Sequence, residues 1–157
     1  MPSVADVYAK VSPHLAERPG AGMATRLHAR VLRATGGKLA GRVLGVKSDV
    51  LVLRTVGRRS GKPRESPMFC LPYGEGGYAV VASNGAAKHT PGWWHNLQDQ
   101  PDAEAFVRGR PYSVRARAAT AEEVSELWPR FVALYSGYEH YKSIATRELP
   151  VVILEPR

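Results

Sequence analysis

Four cations, Arg58, Arg59, Lys62 and Arg64, crowd the stretch Gly57-Arg58-Arg59-Ser60-Gly61-Lys62-Pro63-Arg64. Two glycines frame a tight turn there. Like charges this close repel one another, and turn N–H groups with guanidinium forks together form a cradle for an anion. The same residues also suit a solvated hairpin tip with no ligand. A nucleoside-triphosphate loop is excluded, because only three residues separate the glycines and Pro63 follows Lys62.

A second candidate is Ser83-Asn84-Gly85-Ala86-Ala87-Lys88, which leads into Pro91-Gly92-Trp93-Trp94-His95-Asn96. Small residues let a flat ligand approach the backbone, Lys88 adds a positive charge, and the two tryptophans offer stacking surface. The alternative is a polar loop beside core tryptophans. Tyr135, Tyr138 and Tyr141 recur every three residues, a spacing that sets them on one side of a helix. They read either as packed aromatics or as a phenolic wall that holds a substrate oxygen or relays a proton. Gly74-Glu75-Gly76-Gly77-Tyr78-Ala79 satisfies a dinucleotide fingerprint in form only, since a strand rather than a helix should follow it.

Other chemistry finds little support. The five histidines show no metal-ligand spacing, and no serine sits in G-x-S-x-G. Cys70, the single cysteine, falls in an apolar strand and reads as core. No metal site is expected. With no nucleophile or metal at hand, an enzyme of this sequence needs a bound cofactor for its reactive step.

Segments able to hold these residues follow from pattern and breakers. Strands are expected at 49–56, 64–73, 78–83, 103–108, 111–119 and 149–154, with Pro67 and Pro72 marking an edge or a bulge. Helices are expected at 3–18, 23–33, 91–98, from the capping box Thr120-Ala121-Glu122-Glu123, and at 138–145. Short links dictate antiparallel pairing, and six such strands close into a small barrel with helices outside. The 157 residues suffice for one core. No apolar run reaches the roughly 20 residues a membrane-spanning helix needs. Residues 1–20 lack the apolar stretch of a signal peptide, so a cytoplasmic location is expected. Residues 1–64 carry 13 Lys and Arg against 3 Asp and Glu, while residues 65–157 carry 9 against 11. The basic first part attracts an anionic partner: nucleic acid, a membrane surface or a small molecule. The aromatics do not interleave with it, which argues against a nucleic-acid reader.

These motifs resemble the deazaflavin-dependent nitroreductases, actinobacterial proteins that bind coenzyme F420 on a split β-barrel. The matching pieces are T-V-G-R-R-S-G-K-P-R at 55–64, S-P-M-F at 66–69, V-A-S-N-G at 81–85 and P-G-W-W-H-N-L at 91–97. The tyrosine pattern from Trp128 to Tyr141 and L-P-V-V-I-L-E-P after it complete the set. The resemblance implies a mainly β fold, an antiparallel six-stranded split β-barrel with flanking helices. Residues 46–157 would form the F420-binding barrel and residues 1–45 a basic helical segment, in one domain overall.

The resemblance also assigns roles. Arg58, Arg59, Ser60 and Arg64 would hold the phosphate and the oligoglutamyl tail. Glu65, Ser66, Pro67, Met68 and Phe69, with Val81, Ala82, Ser83 and Asn84, would run beside the ring. Lys88 and Gly92, Trp93, Trp94, His95 and Asn96 would close over the cofactor. Tyr135, Tyr138 and Tyr141 would line the substrate pocket, with Tyr138 or Tyr135 aiding protonation. The implied reaction is hydride transfer from reduced F420 to a quinone, enone or nitro-type acceptor. The alternatives are a flavin mononucleotide (FMN) reductase on the same barrel and a non-catalytic F420- or anion-binding protein. Asn84 replaces a frequent Lys of the family, and Phe69 a Tyr of nitroimidazole-reducing relatives, which bears on substrate range. The implied assembly is a monomer or homodimer, with peripheral contact at the inner face of the plasma membrane through the N-terminal segment.

Overall fold

The computed structural model describes Lys10 and residues 48–157. Apart from Lys10, the helices expected at 3–18 and 23–33 lie outside the described residues. The rest forms an antiparallel sheet of β1 (Val50–Val56), β2 (Pro63–Phe69), β3 (Leu71–Tyr73), β4 (Gly77–Val81), β5 (Asp102–Val107), β6 (Arg110–Ala118) and β7 (Val151–Pro156). Helices α1 (Gly92–Asp99), α2 (Ala121–Leu134) and α3 (Gly137–Ile144) flank it.

The expected six strands are corrected to seven. The run expected as one strand over 64–73 divides at Cys70 into β2 and β3. The strand order is β2-β1-β5-β6-β7-β4-β3, so these two consecutive strands hold opposite edges. Pro67 and Pro72 explain why they are edges: proline has no N–H for a second neighbour. A chain that steps from one edge to the other at a single residue forces the sheet to curl until its edges approach, which makes the barrel. The closing strand is also shifted, starting at Val151 rather than Leu149: Pro150 has no N–H to give the ladder, although its carbonyl accepts from Ala82 N–H at 2.8 Å.

The period-2 alternation of the strands makes two large cores, beside a small cluster of Val50 and Val52 with Phe69 and Phe106. Inside the barrel, Leu51, Leu53, Val80, Val114, Val152 and Leu154 pack with Trp93 and Leu97 of α1. Outside, Ala79, Val81, Val151 and Ile153 pack under Leu127, Phe131 and the three tyrosines of the α2–α3 region. The expected capping box starts α2: Glu123 N–H donates to Thr120 Oγ1 and Thr120 N–H to Glu123 Oε2. Arg117 also bonds the Glu123 carboxylate, at 2.7 and 2.8 Å, and holds its pKa down to about 2. Cys70 is buried as expected, and burial pushes its thiol up to about 12. The hairpin at Gly74–Gly77 joins β3 to strand β4, as the rejection of a dinucleotide fingerprint required.

Candidate cofactor site

The β1–β2 turn is held by its own backbone. Gly57 N–H donates to Lys62 O at 2.8 Å, and Gly57 O accepts from Ser60 and Gly61 N–H at 3.1 and 2.7 Å. Gly61 has φ +63°, where a side chain would be strained. Ser60 Oγ accepts from Lys62 N–H and from Arg64 Nη2, each at 3.3 Å, so Arg64 is fixed within the turn. Arg58 and Arg59 are exposed, and their guanidinium groups have no protein partner among the described residues. Two adjacent unpaired guanidiniums are a donor set suited to a polyanion.

Glu65 on β2 does not offset this charge. Arg54 donates to its Oε1 from Nε and Nη2 at 3.1 and 2.9 Å, reaches Glu104 at 2.7 Å, and lies over the Phe106 ring. Along β2, Ser66 and Pro67 are half-buried, Met68 packs toward the barrel interior, and Phe69 packs toward the tyrosines.

Asn96 joins the turn to α1. Its Nδ2 donates to Thr55 Oγ1 at 3.0 Å, and its Oδ1 accepts from Arg58 N–H at 3.1 Å. Both side chains are nearly sealed from solvent, at 6% exposure for Asn96 and 2% for Thr55. Asn96 therefore acts on the turn through its backbone. The helix begins after Pro91, whose carbonyl accepts from Trp94 N–H at 3.1 Å. Trp93 is buried in the barrel core, while Trp94 and His95 are half-buried and Gly92 and Lys88 exposed.

At the end of β4 Val81 is buried, as is Ala82 after it, and the chain then enters an unusual loop. Asn84, Gly85 and Ala86 have φ of 47°, 59° and 61°, all left-handed. Asn84 Nδ2 donates to His89 O at 3.0 Å. Sequence reasoning missed the residue behind this loop, Arg147, whose guanidinium donates to carbonyls of Ala82, Ser83 and Ala87. No spacing or motif marked it, because its partners lie 60 to 65 residues away and are backbone atoms.

The tyrosines do not share one helix as their spacing suggested. Tyr135 caps the end of α2 in extended conformation, and Tyr138 and Tyr141 lie on α3. The break brings them together nonetheless, with ring centroids 5.5 to 6.1 Å apart. Their exposures are only 3%, 4% and 4%. Tyr135 and Tyr141 hydroxyls stand 3.4 Å apart, and Phe69 sits 5.5 Å from the Tyr135 ring. The Tyr138 hydroxyl has no protein partner among the described residues, and burial raises its pKa. Ala86 of the left-handed loop packs against the same cluster.

The site therefore has two ends joined by β2. Cations stand at its start and aromatics at its finish, separated by about 17 Å for the five steps from Arg64 to Phe69. Among the described residues no three His, Cys, Asp or Glu side chains stand together as a metal site. No described helix is long and apolar enough to cross a membrane.

Known proteins of similar sequence and fold exist. An F420H(2)-dependent quinone reductase of Mycobacterium tuberculosis is 32% identical over 140 residues, covering 84% of this chain and 89% of its own. A solved F420-H2 dependent reductase, FDR-A, superposes with a TM-score of 0.61 at 30% identity, covering 68% of this chain and 93% of its own. A structure described as a domain-swapped dimer gives 0.63 at 26% identity, covering 85% and 97%. The FMN alternative finds no support among these relatives. The family model for F420H(2)-dependent quinone reductases matches residues 24–156, so the chain belongs to that family of oxidoreductases, whose cofactor is coenzyme F420.

Proposed function

We propose that this protein reduces a quinone with F420H2, binding the anionic tail at the β1–β2 turn and the ring toward the aromatic end of β2. The observation that carries the reading is the polarity of β2, with unpaired guanidiniums at one end and a buried phenol cluster at the other. An elongated cofactor with a flat ring and a polyanionic tail matches that order. When bound, reduced deazaflavin supplies the hydride.

Arg58, Arg59 and Arg64, with Ser60 in the turn, bind phosphate and glutamyl carboxylates through charge-assisted hydrogen bonds. Asn96 orients the turn through Arg58 N–H. Backbone at 65–69 and 81–84 runs along the ring, and Lys88 with 92–96 covers it. A quinone that gains a hydride develops negative charge on oxygen and then takes a proton. Tyr138 suits the donor's role because burial keeps its phenol protonated. Tyr135 and Tyr141, close enough to exchange a hydrogen bond, orient the wall around it. Enones and nitro compounds make the same demand, and we include them as secondary acceptors.

The binding unit spans 46–157. The basic periodicity at 23–33 favours peripheral contact with an anionic membrane, where quinones dissolve. The likeness to a domain-swapped dimer favours a homodimer. Steady-state oxidation of F420H2 with menadione, an enone and a nitroimidazole tests the reading. Menadione should be reduced fastest. No saturable F420 binding, together with no oxidation above the protein-free rate, would reject it.

A further inference from the structure

Residues 82–87 hold a conformation that they do not secure by themselves. Ser83 is right-handed helical, with φ −78° and ψ −38°, and three left-handed residues follow it. Two of those three are not glycine, which is a strained arrangement that surrounding structure must impose. Within the loop, Ala86 N–H donates to Ser83 O at 2.8 Å and Ala87 N–H to Asn84 O at 3.1 Å. A right-handed residue followed by a left-handed one makes successive N–H groups converge on one side. The N–H groups of Ser83, Asn84 and Gly85 have no protein acceptor among the described residues.

Arg147, in the link between α3 and β7, grips the carbonyl side of the same loop. Its Nε donates to Ala87 O at 3.0 Å, its Nη1 to Ala82 O at 3.3 Å, and its Nη2 to Ser83 O at 2.7 Å. Nη1 also donates to Glu148 O at 2.8 Å, which anchors the guanidinium to its own strand entry. These are four of the five N–H bonds the group possesses. Both the entry and the exit of the loop are tied to one planar fork. A lysine ammonium cannot reproduce that geometry. No carboxylate among the described residues pairs with Arg147, and burial lowers its pKa. Its role is to organise backbone rather than to balance a carboxylate.

We propose that Arg147 is a positioning residue that holds residues 82–87 in the shape leaving the Ser83, Asn84 and Gly85 N–H groups free for the polar edge of the bound ring. This rests on the reading that the ring lies beside this loop. Arg147 touches no cofactor atom itself.

The test uses the full chain with Arg147→Met and Arg147→Lys, free of cofactor and then titrated with F420. In Arg147→Met, amide hydrogen exchange at 83–87 should accelerate about tenfold while β7 stays protected. The F420 dissociation constant, read by fluorescence, should rise about tenfold. Arg147→Lys should show the same two changes, and it carries the comparison if the Met variant does not fold. Added guanidinium ion, at low concentration, should recover part of the affinity of Arg147→Met and none of that of an Arg58→Ala, Arg59→Ala protein. Unchanged exchange at 83–87 would overturn the proposal. So would faster exchange with unchanged affinity. A parent protein that fails to bind F420 would overturn the underlying reading, a result that needs no variant and is thereby distinguished.

Discussion

The two ends of β2 are built on opposite physical terms. At its start the side chains are charged and exposed, and the turn beneath them is closed by backbone hydrogen bonds. At its finish the side chains are aromatic and sealed, and each ring is another's support. The contrast teaches that binding and stability are separable at the first end and entangled at the second. A guanidinium can leave the turn without leaving a hole. A ring or a contact surface cannot leave the cluster so freely.

The largest effect should come from the separable end. Arg58→Ala with Arg59→Ala removes two groups that have no protein partner among the described residues. Charge-assisted hydrogen bonds contribute about 1.5–3 kcal/mol each, reduced here by solvent exposure, so F420 affinity should fall about a hundredfold. The thermal midpoint of the empty protein should stay within about 2 °C of the parent. Isothermal titration and a melting curve check both. Equal affinity would detach the tail from this turn, and a large drop in midpoint would show that the two ends are not built differently.

The next effect probes the entangled end. Gly137 opens α3, and the Tyr135 ring lies directly over its α-carbon, so that a methyl group would overlap the ring. Gly137→Ala must push Tyr135 out of the cluster and away from Phe69. Overpacking of this kind costs about 1–3 kcal/mol. Denaturant unfolding should show that loss, and F420 affinity should change far less than in the double arginine variant. A fully stable Gly137→Ala protein would mean that the cluster yields more easily than its packing suggests.

How much of this was legible beforehand differs between the ends as well. The turn was readable because glycine, proline and four cations act locally: a hairpin needs only its own residues. The capping box and the α1 start at Pro91 were readable for the same reason. The barrel's seventh strand was not, because nothing between Arg64 and Tyr73 announces that Cys70 marks a passage from one sheet edge to the other. Pro67 and Pro72 showed that an edge was near, yet not that there were two. The tyrosines were found by spacing, but the reason they meet is a helix break at Ser136 that the spacing argument did not contain. Arg147 left no trace at all, since backbone carbonyls carry no sequence signature. Asn96, which the resemblance set over the cofactor, also donates one amide N–H to Thr55 Oγ1 and accepts Arg58 N–H at its Oδ1, a tie to the turn that no spacing showed.

The smallest predicted effect sharpens the comparison most, because it asks whether any single atom of the buried end can be removed without structural cost. Tyr138 is the candidate. Its ring packs on Trp128, Phe131, Tyr135 and Tyr141, but its hydroxyl has no protein partner among the described residues. Tyr138→Phe keeps every ring contact and deletes a hydroxyl that makes no hydrogen bond to a described residue, so stability should change by less than about 1 kcal/mol. If that hydroxyl donates to the acceptor oxygen, kcat for menadione should fall about tenfold, equivalent to about 1.4 kcal/mol, while the F420 dissociation constant holds. The pH profile gives an independent readout. Burial raises the phenol's pKa above its ordinary value of about 10, so the protonated donor persists across the neutral range. A basic limb that belongs to Tyr138 must therefore lie above about pH 10 and must vanish in Tyr138→Phe. A kcat within about twofold of the parent would remove Tyr138 from the chemistry and leave the phenols as packing alone.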